Sequence, residues 1–191
     1  PSMRGRILDE SAALFLRRGY NATSLREIAD AVGMKAGSLY YHFASKEDLL
    51  VEILQRGMEV MQTAFDTACD QAAAADLEPR GRLRAHVRAH LSALFEYGPY
   101  TANHVTAFHT APDTVREQIV PARDAYEARW TELLGELQRD RALRADLDIG
   151  LARLILFGAM NASVEWFHPE RGGLDAFTDT ITDLFWSGAA R

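Results

Sequence analysis

Cysteine is almost missing from this chain of 191 residues: Cys69 is the only one. A single thiol excludes an internal disulfide framework and fits a reducing compartment. It is expected to be buried as a small hydrophobe rather than to serve as a redox sensor. Proline is scarce as well, six in all, and only Pro121 falls inside a helical span. No apolar run reaches the roughly eighteen residues that suggest a bilayer span. No leader is visible, because Met3 and Arg4 open directly onto an amphipathic helix. A cytoplasmic protein without a membrane partner is therefore expected. Also missing are a strand signal, an internal repeat, a glycine-rich phosphate loop, a nucleophile elbow and an acid pair in a loop, so an enzyme is not expected. His86 and His90 share a helix face and His104 lies near His109, but no acid sits at matching spacing. No metal and no cofactor are expected, since a zinc site needs a third or fourth ligand.

What is present is a core. The chain is 48% hydrophobic and 25% charged, enough for one or two globular domains. Its apolar residues recur with a helical period throughout, so the fold class is all-α with about nine helices. The first runs from Arg4 to Arg18, with Ile7, Leu8, Ser11, Ala12 and Phe15 inward, and Gly19 stops it. One long helix covers Lys46 to about Ala75, about 40 Å at 1.5 Å per residue. Helices follow over Arg80–Tyr97, Tyr100–Thr110 and from a Thr110 cap to Arg139 or Ala142, where Pro121 should kink or split the helix near Val120. The last two run from an Asp146 or Asp148 cap to Phe167 and from Leu174 to Trp186.

Between the first helix and the long one lies the stretch that carries the chemistry. Ser24 and Glu27 form a capping box, and Leu25, Ile28, Ala29 and Val32 share one face. Gly33 can take a positive φ and end that short helix. A second short helix is expected over Ala36–Phe43, with Leu39 and Phe43 inward; Ser45 and Asp48 then open the long helix. Two helices around a glycine turn are the helix-turn-helix layout, whose second helix can enter a major groove. Its outward side is Lys35, Ser38, Tyr40, Tyr41 and His42, with Lys46 beyond and the small Ala36 and Gly37 between them. These side chains donate to phosphates and base edges and carry no acid. The net charge of −6 looks wrong for a polyanion partner. Up to Lys46, however, seven Lys and Arg face four acids, so the head carries +3 and the remainder −9.

The segment T-S-L-R-E-I-A-D-A-V-G-M followed by A-G-S-L-Y-Y-H-F-A-S-K-E-D-L-L resembles the DNA-binding domain of the TetR family of transcriptional regulators. The likeness covers about the first fifty residues, and the L-Y-x-H-F before S-K-E sets it apart from a generic helix-turn-helix. It implies a DNA-binding domain over residues 1–48 and a ligand-binding and dimerisation domain over 49–191. It implies double-stranded DNA as partner, with Arg26, Ala36, Gly37, Ser38, Tyr40, Tyr41, His42 and Lys46 at positions that touch it. By their chemistry Lys46, Tyr40 and His42 suit phosphates, Arg26 and Tyr41 suit base edges, and Lys35 suits either. Ala36 stands where members often have a larger polar side chain, which leaves a thymine methyl contact there.

The terminal helices carry more apolar surface than one small body can cover, and in the resembled family they pair with their symmetry mates. A homodimer is expected through Leu151, Ile155, Gly158, Ala159, Ala162, Phe177, Ile181, Leu184 and Phe185, which also suits a palindromic operator. Aromatic and polar residues on inner faces mark a small-molecule effector pocket, apolar or amphipathic in character. The candidates are Phe95, Tyr100, His104, Phe108, Tyr126, Trp130, Phe157, Met160, Asn161 and Trp166. The segment from Asn161 to Pro169 resembles one found in family members that respond to acyl-CoA thioesters, which would require an arginine such as Arg123 or Arg129 at the pocket mouth. The expected function is a ligand-responsive repressor. The alternative is an architectural DNA-binding protein without a ligand, which would protect any duplex.

Overall fold

Most helix ends sit at the start and stop residues read above. In the computed structural model, which describes residues 2–191, helix α1 spans Met3–Arg18 and ends at Gly19, with φ +87°. Helix α2 (Leu25–Ala31) starts at the Ser24 capping box with both reciprocal bonds in place. Helix α3 is regular only over Ala36–Leu39, shorter than the expected Ala36–Phe43. Beyond Leu39 the chain tightens into turns: His42 and Phe43 both donate to the Leu39 carbonyl, at 2.9 and 3.1 Å. Phe43 is thereby still carried inward beside Leu39.

Helix α4 spans Lys46–Ala74, and the Ser45 hydroxyl accepts from the Asp48 N–H at 3.0 Å. Then come α5 (Pro79–Phe95), α6 (Pro99–Thr106) and a 3₁₀ turn at Phe108–Thr110. Helix α7 (Asp113–Arg139) runs through Pro121 as one helix, so the expected split at Val120 does not occur. Proline there leaves the Glu117 carbonyl without its helical donor, but both residues are exposed, so the carbonyl is open to solvent. Thr110 does not cap α7, because its hydroxyl donates to the Ala107 carbonyl. Helix α8 (Ile149–Ala162) is capped by Asp148, which accepts from the Leu151 N–H at 2.9 Å. It ends five residues before Phe167, in a 3₁₀ turn at Ser163–Glu165. A single-turn α9 (Pro169–Gly172) and α10 (Leu174–Ala189) close the chain. Among the described residues that is ten α-helices and no named strand; one isolated antiparallel bridge joins Leu143 to Ala190.

The chain divides into two compact units, each built from two segments. Unit 1 is Pro1–Val60 with Tyr97–Arg123, and unit 2 is Met61–Glu96 with Asp124–Arg191. In unit 1, α1 packs on α6 and α2, and α2 on α3. Its core includes Ile7, Leu8, Phe15, Ile28, Leu39, Phe43, Leu50, Ile53, Phe108 and Ile119. Gly57 allows α6 to lie against α4: a Cβ there would stand 2.7 Å from the Tyr100 carbonyl oxygen and 2.9 Å from the His104 ring. In unit 2, α10 packs on α5 and α8. Three arginines one turn apart on α5 meet three aspartates one turn apart on α10: Arg80 with Asp183, Arg84 with Asp179, and Arg88 with Asp175. Such a ladder fits only the antiparallel register observed.

Candidate nucleic-acid interface and effector cavity

Unit 1 sets the reading segment on fixed supports. Ser24 Oγ accepts from the Glu27 N–H at 3.2 Å, and the Glu27 carboxylate accepts from the Ser24 N–H at 2.8 Å. These bonds, with Arg18 beside it, hold the Glu27 carboxyl below the usual range. Gly33, at φ +74°, turns the chain, and the Met34 N–H closes the turn on the Ala29 carbonyl at 2.9 Å. Leu39 and Phe43 are buried, and the Arg4 guanidinium lies 4.5 Å from the Phe43 ring centre.

The opposite side is open. Tyr41 is 91% exposed and Tyr40 58%, an unusual placement for two adjacent phenol rings. Arg26, Lys35 and Gly37 are exposed with them, while Ala36, Ser38, His42 and Lys46 are half-buried. No carboxylate occurs between Gly33 and Ser45. The face therefore presents cations, phenol hydroxyls and close-approach positions together.

Lys46, expected mainly to contact phosphate, is also engaged within the unit. Its Nζ donates to the carbonyls of Tyr20 at 2.9 Å and Thr23 at 3.0 Å, and lies 4.2 Å from the Tyr20 ring centre. Burial pulls its ammonium below the usual value. Two of its three donors fasten the loop that leads into α2, leaving one for a phosphate.

The ten expected pocket residues fall into three groups. Tyr100, His104 and Phe108 belong to unit 1. The Tyr100 hydroxyl donates to Asp9 at 2.6 Å, His104 Nε2 donates to the Leu54 carbonyl at 2.6 Å, and Phe108 lies under the Arg123 guanidinium at 4.1 Å. These contacts tie α6 and the turn after it to the rest of unit 1. In unit 2, Tyr126, Trp130 and Phe157 cluster around the buried His90, which also bonds Asn161. Met160 is fully buried. Phe95 and Trp166 join Phe167 and Phe177 in a separate aromatic group, where Trp166 is 57% exposed.

A cavity of about 530 Å³ does occur in unit 2, and none of those ten residues lines it. Its walls include Phe65, Leu77 and Leu133, with His86, Arg82 and Arg129 as polar members. Arg129 pairs with Asp66 and rests 4.3 Å from the Phe65 ring centre. Arg82 donates to Glu136 at 2.6 Å. Cys69 is exposed at this cavity rather than buried as expected, with Sγ 3.3 Å from His86 Nε2. His86 Nδ1 donates to the Arg82 carbonyl at 2.7 Å, so Nε2 is left as the acceptor. Among the described residues, no group of three or more His, Cys, Asp or Glu is placed to hold a metal ion.

The nine expected interface residues divide as well. Leu151, Ile155, Gly158, Ala159, Ala162 and Leu184 are exposed, and Phe177 and Phe185 are half-buried. Ile181 faces inward at 8% exposure, so it belongs to the unit's own core. Leu154 and Trp166, at 55% and 57%, add to the exposed apolar surface.

Residues 7–53 match the family model for bacterial regulatory proteins of the tetR family, and residues 76–189 match the tetracyclin repressor-like C-terminal domain. The chain belongs to the tetR family. This tetR-family regulator is 30% identical over 192 residues to the HTH-type transcriptional repressor KstR2 of Rhodococcus jostii, covering 96% of this chain and 87% of the relative. The crystal structure of PfmR from Thermus thermophilus superposes with a TM-score of 0.83 at 28% identity, covering 97% of this chain and all of that one. The ketosteroid transcriptional regulator KstR2 of Mycobacterium tuberculosis also superposes at 0.83, with 26% identity, covering 100% of this chain and 96% of that one. Each is a transcriptional regulator by name or title, and no helix among the described residues is long and apolar enough to cross a membrane.

Sequence reasoning missed several side chains that shape this tetR-family regulator. The cavity residues Phe65 and Arg82 sit on helices distant in sequence, and no local spacing joins them to Arg129, the arginine the sequence offered for a pocket mouth. Asn103, whose Nδ2 donates to the Ala12 carbonyl at 3.0 Å, had no signal either. The Arg80, Arg84, Arg88 spacing was visible, but its partners lie 87 to 103 residues on.

Proposed function

We propose that this regulator is a homodimeric, cytoplasmic repressor that binds a palindromic operator in double-stranded DNA and leaves it when a small-molecule effector binds. The observation that carries the DNA reading is Tyr41, almost wholly in solvent beside Lys35 and Tyr40, on a segment anchored by the buried Leu39 and Phe43. An aromatic so exposed gains nothing for the fold, and its hydroxyl and ring edge suit a groove floor. Arg26, Lys35 and Tyr41 address base edges; Tyr40, His42 and the remaining Lys46 donor address phosphates. Ala36, Gly37 and Ser38 admit the backbone closely. Residues 1–48 read DNA, and residues 49–191 bind effector and partner.

The exposed Leu151, Leu154, Ile155 and Leu184 support a second copy of the chain as partner, since isolated chains rarely leave such surface wet. Gly158, Ala159 and Ala162 leave room for close helix approach. The repressor reading draws on the name of the Rhodococcus relative. The cavity's size lies in the range of small-molecule sites, and its mixed walls support an amphipathic effector. Helix α4 contributes Phe65, Cys69 and Ala72 to that cavity and continues into the core of unit 1, which offers a route for control. A hundredfold loss of DNA affinity needs about 2.7 kcal/mol of coupling, within the usual range.

The test is selection from random duplexes followed by titration of Tyr41→Ala. The expected outcome is one inverted repeat, bound at least about tenfold more weakly by the variant, with its unfolding midpoint unchanged. Equal protection of every duplex, or a variant that binds the selected repeat as well as the parent, sinks the reading.

A further inference from the structure

Helix α8 poses a problem that hydrophobicity alone does not solve. Ala152, Leu156 and Met160 face inward, while Leu151, Leu154 and Ile155 face solvent. Both sides are apolar, and the outward one carries the bulkier residues at the N-terminal end. Turning the helix by one residue position would bury as much apolar surface. It would also present a different set of side chains to any partner.

A third face settles the rotation. Arg153, Phe157 and Asn161 fall at i, i+4 and i+8, in one row. Arg153 pairs with Glu127 of α7. The Phe157 ring centre lies 5.4 Å from that of His90 and 5.6 Å from that of Trp130. Asn161 Oδ1 lies 2.9 Å from His90 Nε2, and His90 Nδ1 lies 2.9 Å from the Tyr126 hydroxyl. An amide oxygen only accepts, so Nε2 carries the proton, Nδ1 is bare, and Tyr126 donates to it. His90 is 2% exposed, with both ring nitrogens satisfied. Rotating α8 would break the Asn161 bond and strand a buried donor, which costs far more than the bond itself contributes.

We propose that His90 is a positioning residue for self-association: through Asn161 it sets the rotation of α8 and so decides which residues meet the second copy. The inference rests on the homodimer reading above. A buried polar pair of this kind adds little to stability but selects one arrangement among several apolar alternatives.

The double variant H90F/N161L, made in a Tyr126→Phe background so that no buried hydroxyl is stranded, replaces the bonded groups with apolar ones of similar size, so its unfolding midpoint should stay close to the parent's. Sedimentation equilibrium should nevertheless show the dimer weakened by about tenfold or more. His90→Gln, which keeps a donor toward Asn161, should recover most of that loss. The proposal is overturned if the double variant dimerises within twofold of the parent, or if its dimer weakens only in step with lost thermal stability. A parent chain that sediments as a monomer at tens of micromolar would instead remove the homodimer reading itself.

Discussion

Unit 1 buries His104 and unit 2 buries His86 and His90, and His104 and His90 are fastened differently. In unit 1, His104 Nε2 donates to a main-chain carbonyl, that of Leu54, while Arg123 approaches its Nδ1 at 3.4 Å. In unit 2, His90 bonds only side chains, Tyr126 and Asn161. The contrast is confined to the two rings. Asn103, Lys46 and Arg6 all donate to main-chain carbonyls within unit 1. Unit 2 has main-chain ties too, from His86 to the Arg82 carbonyl and from Gln138 to the Arg144 and Leu147 carbonyls, beside side-chain pairs such as Arg84 with Asp179 and Arg82 with Glu136. A bond to the main chain fixes an element's position whatever the neighbouring rotamers do. A side-chain pair can exchange partners when a ligand enters. His104 is thus fastened for constancy, and His90 is fastened in a way that permits adjustment.

Acid should strike both histidines and so test the comparison most strongly. Burial, first among the causes, holds His90 and His104 at about 4, against 6.5 when unfolded. Below 6.5 the unfolded chain takes up protons that the folded chain refuses, so stability is full above 6.5 and falls as pH drops toward 4. The expected loss is on the order of 3 kcal/mol for each histidine. Urea unfolding across that window measures it. In H90F/N161L about one proton of the slope should vanish while the His104 part remains; an unchanged slope would break the parallel.

A smaller effect is expected at the α4–α6 crossing of unit 1. Gly57→Ala should cost about 1–3 kcal/mol, because the new methyl meets the Tyr100 main chain rather than a side chain that can swing away. Thermal unfolding checks it, and a neutral result would show that unit 1 is less rigidly fastened than its bonds suggest. Smallest is Ser24→Ala. Losing the cap should cost about 1 kcal/mol and weaken DNA binding only through the setting of α2, which a paired thermal scan and DNA titration would separate.

Local signals were legible in the sequence and distant ones were not. The Ser24 box, the Gly33 turn and the inward Leu39 and Phe43 depend on residues three or four apart, and all were readable. The length of α3 was overestimated because Tyr40, Tyr41 and His42 have no inward partner to hold a regular helix. Pro121 was expected to break α7, but exposure of the Glu117 carbonyl makes the lost bond tolerable. The grouping of the expected pocket residues was hidden for another reason. Aromatic and polar residues on inner faces look alike in a sequence, whether they fill a core, as Trp130 does, or fasten a helix, as His104 does. Ile181 and Leu184 share one helix and the same apolar character, and only their neighbours decided which was covered.

The sequence by itself determined the helical class, most helix starts and the reading motif, because capping, turn and periodicity signals act over one or two turns of chain. Tertiary structure alone decided the cavity's walls, the main-chain fastening by Lys46 and His104, and the rotation of α8. Each of those depends on bonds between helices far apart in the chain, and on a helix apolar all round the pattern of hydrophobic residues cannot choose among faces.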